Sequence, residues 1–592
     1  MRDWKQQMDE ARGLASIDLV LRRARLVNVF SGEVHMTDIG IDQGVFVGLG
    51  VFPEAKQTLD LDGKLVVPGL IDGHVHIESS LLCPEEFCSL LLSHGVTTAV
   101  VDPHEIANVM GSQGIRYILS AVRNLPFNAF VTLPSCVPAT DMETSGVRLD
   151  AHELREFLDN SQVIGLGEVM DYRGVLEGKP DMVEKLRLPV KFKDGHAPGM
   201  SPQDLNAYFI AGIHTDHECS TDAEARERLR RGFHVMLREG SVTKDLLNLL
   251  PAVTPENAGQ CLFVTDDRHP DDLLQEGSID HLVRMAIRAG QPPVRAIQMA
   301  TLNAARALGL EKLGAVAPGY QADFVVLDDL ADFTIREVYW QGRLMSTKGS
   351  RPRFPRYSTT GLTESVHLGD WHRDKLNVSG VSPTGAFQAQ DSQLVQLKLD
   401  QDDVKVRVRV IGVQGHSVVT ASLDGLLPCG DGLVQSDPVQ GIAKIAVLER
   451  HHGSGRVGVG FVEGLGLSKG AIASTVAHDS HNLVVVGMTD EEMDLAVRTC
   501  ADMGGGLCLV QGKEVLGKLP LPIAGLMTDK EPEEVAQLLK RMKRFARHLG
   551  MISDVDPFMT LAFLSLPVIP ELKLTDCGLV DVNQGAFVNL VL

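Results

Sequence analysis

The chain has 592 residues, 44% hydrophobic and 22% charged, and its 56 Lys+Arg against 77 Asp+Glu leave a formal net charge of −21. That length asks for roughly two to four domains, and the balance of apolar to charged residues fits a soluble globular protein and excludes wholesale disorder. An acidic chain lacks the basic face of a duplex nucleic-acid binder, so no nucleic-acid partner is expected.

The opening segment MRDWKQQMDEARGLAS (1–16) reads as a short amphipathic helix without the apolar run of a secretory signal. Residues 19–50 then alternate apolar and polar side chains between Gly-centred turns, the pattern of antiparallel strands. A second β-rich stretch returns at 314–345. The two flanks, 17–67 and 309–350, are expected to build one small β-sandwich domain. Between them, over 68–308, short apolar runs alternate with helical patterns. Examples are TTAVVDP (97–103), NAFVTLPS (128–135), VIGLGEV (163–169), PVKFKDGH (189–196), FHVMLREG (233–240) and QCLFVTDD (260–267). Alternating β and α implies a parallel sheet, and the insert is close to the ~250 residues of a (β/α)8 TIM-like barrel. A doubly wound open sheet is the runner-up, but no G-x-G-x-x-G opens the first βα unit and no P-loop pattern occurs. An Arg/Pro/Ser/Thr-rich stretch at 351–366 reads as a linker.

Residues 367–592 read as a C-terminal α+β domain. Its expected strands include QLVQLKLD (393–400), VKVRVRVIGV (404–413), IAKIAVLERH (442–451), NLVVVGM (482–488) and GLCLVQG (506–512). A helix over 531–548 has acids first and bases last and is closed by Gly550. Nine cysteines without a C-x-x-C read as buried free thiols of a reducing compartment. No apolar stretch approaches the ~18–20 residues that cross a bilayer. The expectation is a cytoplasmic protein with no membrane partner.

Ionisable residues close the apolar runs of the middle region. His74 and His76 follow VVPGLIDG, and positions i and i+2 of a strand share a face, so both imidazoles can reach one metal. Asp102, His104 and Glu105 follow TTAVV; Glu168 follows VIGLG; His196 follows VKFKDG. Asp216, His217 and Glu218 follow AGIHT, and Asp266 and Asp267 follow CLFVT. The C-terminal strand ends of a parallel barrel meet at one mouth, so these groups would converge there and hold a divalent transition metal. His94, His152 and His214 read as surface or satisfied core histidines, and His269 as a loop residue. Two segments of the last region stand out. His478-Asp479-Ser480-His481 is a structural turn, a second metal site or part of a substrate pocket, and Gly504–Gly506 is a tight turn or a close backbone approach to substrate.

PGLIDGHVHIESS (68–80) resembles the metal-binding signature of the amidohydrolase superfamily of metal-dependent hydrolases, and ATLNAARALGLEKLGAVAPGYQADFVVLD (300–328) resembles its closing segment. Rarer motifs are similar to those of the bacterial adenine deaminase family: DPHEIANVMG (102–111), GLGEVMDY (165–172), DGHAPG (194–199), TDHE (215–218) and TDDRHP (265–270). So are AHDSHNLVVVG (477–487), GGGLCLV (504–510), LPLPIAGLM (519–527) and AFLSLPVIPELKLT (562–575). The resemblance implies hydrolytic deamination of adenine, a small-molecule substrate, in purine salvage, with a metal-activated hydroxide attacking purine C6. It implies a binuclear centre of two Mn2+ or Fe2+ per subunit, with Zn2+ as the third option. By matching motif, His74, His76 and Asp266 would hold the first ion and His196 and His217 the second, with Glu168 bridging where many relatives have a carboxylated lysine. Asp266 would accept the proton of the hydroxide. Glu168, with a raised pKa, is the first choice to protonate the ring, and Glu105, Glu218 and Asp102 are the alternatives. His104, Asp267, His478, Asp479 and His481 are the candidates for substrate binding. Superfamily analogy adds a homo-oligomer, a homodimer in the simplest case. The competing readings are hydrolysis of a cyclic amide or N-acyl group, and a non-catalytic scaffold on the same fold. A nucleic-acid deaminase would carry H-x-E…P-C-x-x-C, which is absent.

Overall fold

The computed structural model describes residues 4–380, 405–415, 417–553 and 556–592. The alternating amino-terminal stretch folds as the antiparallel strands Ile17–Asn28, Glu33–Asp42 and Val45–Leu49. Leu65–Pro68 pairs antiparallel with Phe324–Leu327 from the far flank, so both flanks share one eight-stranded sheet. The expected sandwich is hydrogen-bonded as a single sheet because Ile17–Asn28 runs through it. Its first part pairs with Ala55–Asp60 and its second with Leu65–Pro68. The register shifts between Leu21 and Ala24, a bulge that bends the strand. The leading helix ends at Ala11, earlier than expected, since Gly13 at φ 68° turns the chain toward Ile17.

The middle region supplies eight parallel strands. Strands one to five are Leu70–Val75, Val96–Val101, Asn128–Leu133, Val163–Val169 and Phe192–Gly195, hydrogen-bonded in that order. Strands six to eight are Thr215–Asp216, His234–Arg238 and Cys261–Val264. Strand one meets strand eight where Asp266 N donates to His74 O (3.0 Å) and His76 N to Asp266 O (3.3 Å). Strands five and six meet at Gly195, where a Cβ would lie 2.0 Å from Thr215 O. Helices such as Pro84–Ser93, Ser112–Val122 and Pro202–Ile210 separate the strands, and Ile279–Arg288 follows the last of them. The result is a closed (β/α)8 barrel whose strand residues are almost all buried, with the functional mouth at its C-terminal end.

The C-terminal region holds a nine-stranded sheet. The helices Asp490–Asp502, Pro532–His548 and Pro557–Phe563 and a three-stranded sheet over 572–587 accompany it. The expected strand 393–400 lies outside the described residues. This region covers the barrel mouth. Thr528 and Leu81–Cys83 exchange backbone hydrogen bonds of 2.9 Å. Thr144 donates to Asp576 from N (3.0 Å) and Oγ1 (2.7 Å). The linker forms no helix or strand over 351–366, but it is tied down: Arg351 reaches Glu86, Glu531 and Glu533. Gly504, Gly505 and Gly506 all have positive φ, and a Cβ on Gly506 would lie 2.1 Å from Leu519 O, so the turn reading fits. All nine cysteines are unpaired; Cys577 is exposed and Cys429 half-buried, against the expectation for those two. Among the described residues, no helix is long and apolar enough to cross a membrane.

Candidate metal centre

The strand ends bring the expected ligands together. Glu168, buried near the end of strand four, points one carboxylate oxygen at each of two histidine pairs. Its Oε1 lies 3.2 Å from His76 Nε2 and 3.8 Å from His74 Nε2. Its Oε2 lies 2.6 Å from His196 Nδ1 and 3.2 Å from His217 Nε2. Asp266 Oδ1 completes the first group, 3.1 Å from His76 Nε2 and 3.5 Å from His74 Nε2. Asp266 sits at φ 58°, a left-handed conformation that is uncommon for a non-glycine residue and tends to be kept at functional sites.

Tautomers decide what these atoms face. His74 Nδ1 pairs with Asp194 Oδ2 at 2.7 Å, and His76 Nδ1 with the Asp102 carbonyl at 3.0 Å. Each acceptor fixes the proton on Nδ1 and turns the Nε2 lone pair inward. The two Nε2 atoms are 3.1 Å apart. Two inward lone pairs beside two carboxylates form an acceptor-only cluster, which calls for a cation. Burial opposes the charged form of His74, but Asp194 and Asp266 outweigh it and push the imidazole up to about 10. His74–His76–Glu168 and Glu168–His196–His217 each bring their ligand atoms within 4.8 Å of one another. Buried His196 Nε2 and His217 Nδ1, turned away from Glu168, have no hydrogen-bond partner among the described residues. The donor set of imidazole nitrogen and carboxylate oxygen fits a divalent transition metal.

The carboxyls expected as candidate acids sit in different surroundings. Burial alone would raise the Glu168 pKa, but His196, His217 and His76 hold the carboxyl well below its ordinary range. Burial likewise opposes ionisation of Glu218, and the Arg238 guanidinium overrides it. Asp102 turns Oδ2 to the Glu168 N–H (2.9 Å), a structural task. The Asp267 carboxyl is raised by its surroundings, first by burial and then by the charge of Asp266. Its Oδ1 accepts from Ser79 Oγ, and its Oδ2 lies 3.9 Å from His478 Nε2.

The C-terminal region completes the wall. His478 Nδ1 lies 3.0 Å from Glu105 Oε1, and its ring stacks on Phe563 with centroids 4.6 Å apart. His104 lies between Glu168 Oε1 (3.5 Å from Nδ1) and Asp479 Oδ1 (3.6 Å from Nε2). His481 sits behind Glu105. Its Nδ1 accepts from Ala477 N (3.0 Å), so the neutral ring carries its proton on Nε2, aimed at Glu105 Oε2 3.9 Å away. That tautomer makes His481 a donor and unsuited to ligate a metal through Nε2. His269 is buried and faces Asp556 of the C-terminal region at 3.6 Å.

A pocket of about 40 Å³ over the histidines is walled by Val418, Phe563, Leu566 and Ile569 of the C-terminal region. It shares Glu218, Arg238 and Thr243 with an adjoining cleft of about 740 Å³. Sequence reasoning missed Asp194 and Arg238, both at C-terminal ends of strands, and the apolar wall. The strand-end rule that picked the ligands applies equally to Asp194 in KFKDGH and Arg238 in FHVMLREG.

The model of the amidohydrolase family matches residues 65–345, and that of the adenine deaminase C-terminal domain matches residues 417–586. "Adenine deaminase 2" of Carboxydothermus hydrogenoformans is 49% identical over 591 residues, 99% of each chain. An adenine deaminase of Nitratidesulfovibrio vulgaris is 46% identical over 98% of this chain and 97% of its own. One of Clostridium acetobutylicum is 42% identical over 98% of this chain and 99% of its own.

Proposed function

The chain belongs to the adenine deaminase family of amidohydrolases, and from that premise we propose how its residues convert adenine and water to hypoxanthine and ammonia. The observation that carries the reading is the split of Glu168, one oxygen toward each histidine pair. His74, His76 and Asp266 with Glu168 Oε1 would hold one divalent ion, and His196 and His217 with Glu168 Oε2 a second, Mn2+ or Fe2+ before Zn2+. When bound, such ions supply the positive charge that brings the pKa of water to about 7.

The protein's own groups then do the rest. Asp266 takes the proton of the attacking water at Oδ1 and returns it to the departing amine. Glu168, with both oxygens engaged, stays an anion and orients. Asp267 is the better placed carboxyl to protonate a ring nitrogen, because its Oδ2 faces the pocket with His478 Nε2 3.9 Å away, and the hydroxyl proton lost as the C6 carbonyl forms restores it. Glu105, held as an anion mainly by His478 against the effect of burial, and His104 and Asp479 supply polar contacts for the base edge. Phe563, Leu566 and Ile569 exclude bulk water.

The test is an ultraviolet assay of the Mn-loaded protein with adenine, adenosine and cytosine. Turnover of adenine is expected, with little of the other two; no change with adenine overturns the reading. Reconstitution of apoprotein should need two equivalents of metal per chain, and full rate at one equivalent would exclude the second ion.

A further inference from the structure

Arg238 ends strand seven, and its side chain is 5% exposed. Its guanidinium reaches carboxylates from three different loops at the mouth. Nη1 donates to Glu218 Oε1 and to Asp266 Oδ2, the latter at 3.0 Å. Nη2 donates to Asp245 Oδ2 at 3.1 Å, with Nε 3.3 Å from the same oxygen. Two of these carboxylates, Asp266 and Glu218, also lie beside the histidine pairs. Asp266 has Oδ2 on Arg238 and Oδ1 on the His74–His76 side. Glu218 Oε1 lies 3.8 Å from His196 Nδ1 and 3.7 Å from His217 Nε2. A carboxylate bound at one oxygen by a planar fork cannot swing or exchange its oxygens freely.

We propose that Arg238 is a positioning residue for both halves of the centre. It fixes which oxygen of Asp266 faces His74 and His76, and it keeps Glu218 against His196 and His217. The proposal rests on reading Asp266 as a ligand. A lysine at this position would keep the charge but could not span three carboxylates, so the fork itself is the feature under test.

The experiment titrates apoprotein of the wild type, Arg238→Gln, Arg238→Lys, Arg238→Gly and Asp266→Asn with Mn2+, reading free ion by electron paramagnetic resonance. Arg238→Gln is expected to weaken at least one of the two equivalents by about 10–100-fold, the range for losing a group that orients a ligand. Arg238→Lys should show a smaller loss, and guanidinium ion added to Arg238→Gly should restore part of the affinity, which a merely structural role would not allow. Wild-type affinity at both equivalents in Arg238→Gln overturns the proposal. If that variant does not fold, wild-type affinity in Arg238→Lys overturns it equally. Asp266→Asn separates the two readings. Should it retain both equivalents, the ligand assignment fails; should it lose one while the Arg238 variants lose none, only the positioning role fails.

Discussion

The glycine before Glu168 decides where that side chain can go. A Cβ on Gly167 would lie 2.3 Å from Asp102 Oδ2, so only glycine lets strand four pass while Asp102 accepts the Glu168 N–H. The Glu168 carboxylate then faces His74, His76 and His104 with Oε1 and His196 and His217 with Oε2. An amide in its place offers one face that can neither ligate nor accept a proton. Glu168→Gln is therefore expected to lower kcat by more than about 100-fold, with metal content falling alongside. Substantial activity at full metal content, by elemental analysis, would remove Glu168 from the centre. Lys573 shows a different constraint. Fully buried, its Nζ donates to the carbonyls of Val418 (2.8 Å) and Phe563 (3.0 Å), two pocket-wall residues. Burial pushes its pKa down to about 7, against about 10.4 in an unfolded chain. Between those values the unfolded chain binds a proton that the folded one does not, so rising pH favours the fold in that window. Wild type should gain thermal stability relative to Lys573→Met as pH rises from about 7 to about 9.5. A pH-independent difference in Tm would mean that the buried amine stays charged.

At the scale of elements, the helix Pro557–Phe563 carries the wall of the pocket. Asp556 caps it, accepting from Phe558 N and Met559 N at 3.0 Å, and Pro557 occupies the first turn, where no donor is lost. The helix ends with Phe563 against His478 and over the pocket. Base–aromatic contacts are worth about 1–3 kcal/mol, so Phe563→Ala should raise KM for adenine by about tenfold with a smaller change in kcat. A fall in kcat at unchanged KM would show that the ring does not meet the substrate. This wall was the least legible part of the sequence. The ligands could be read because each follows an apolar run, and runs of a parallel sheet end at one mouth. Strand six, Thr215–Asp216, has two residues and is visible only through the ligands after it. Phe563, Leu566 and Ile569 carry no such mark. An apolar residue on a short helix packs somewhere, and local periodicity does not say that its partner is a histidine some 80 positions earlier. The Glu168 pKa was likewise unreadable, because its direction depends on three imidazoles brought by three other strands.

For the whole molecule, the question is what keeps the C-terminal region on the mouth, since part of the pocket wall belongs to it. The 351–366 linker looked like a spacer in the sequence, yet Arg351 joins three parts of the chain. It donates to Glu86 on the helix after strand one (2.9 Å) and to Glu531 (3.0 Å) and Glu533 (2.6 Å) at the start of Pro532–His548. The three pairs are not equal. Glu531 and Glu533 are 42% and 52% exposed, and exposed ion pairs add at most about 1 kcal/mol. Glu86 is 5% exposed, and a buried carboxylate that loses a charged partner costs about 1.5–3 kcal/mol. Arg356, 2.6 Å from the other oxygen of Glu86, softens that loss. Arg351→Ala should therefore lower Tm modestly, and the double variant with Arg356→Ala should lower it by more than the sum of the singles, because both act on one carboxylate. Activity should be lost in step with the C-terminal region lifting, at a temperature below barrel melting in the double variant. The check is a pair of curves, residual adenine turnover and far-ultraviolet circular dichroism against temperature. If the two midpoints coincide in the double variant as in wild type, the linker arginines do not hold the mouth closed.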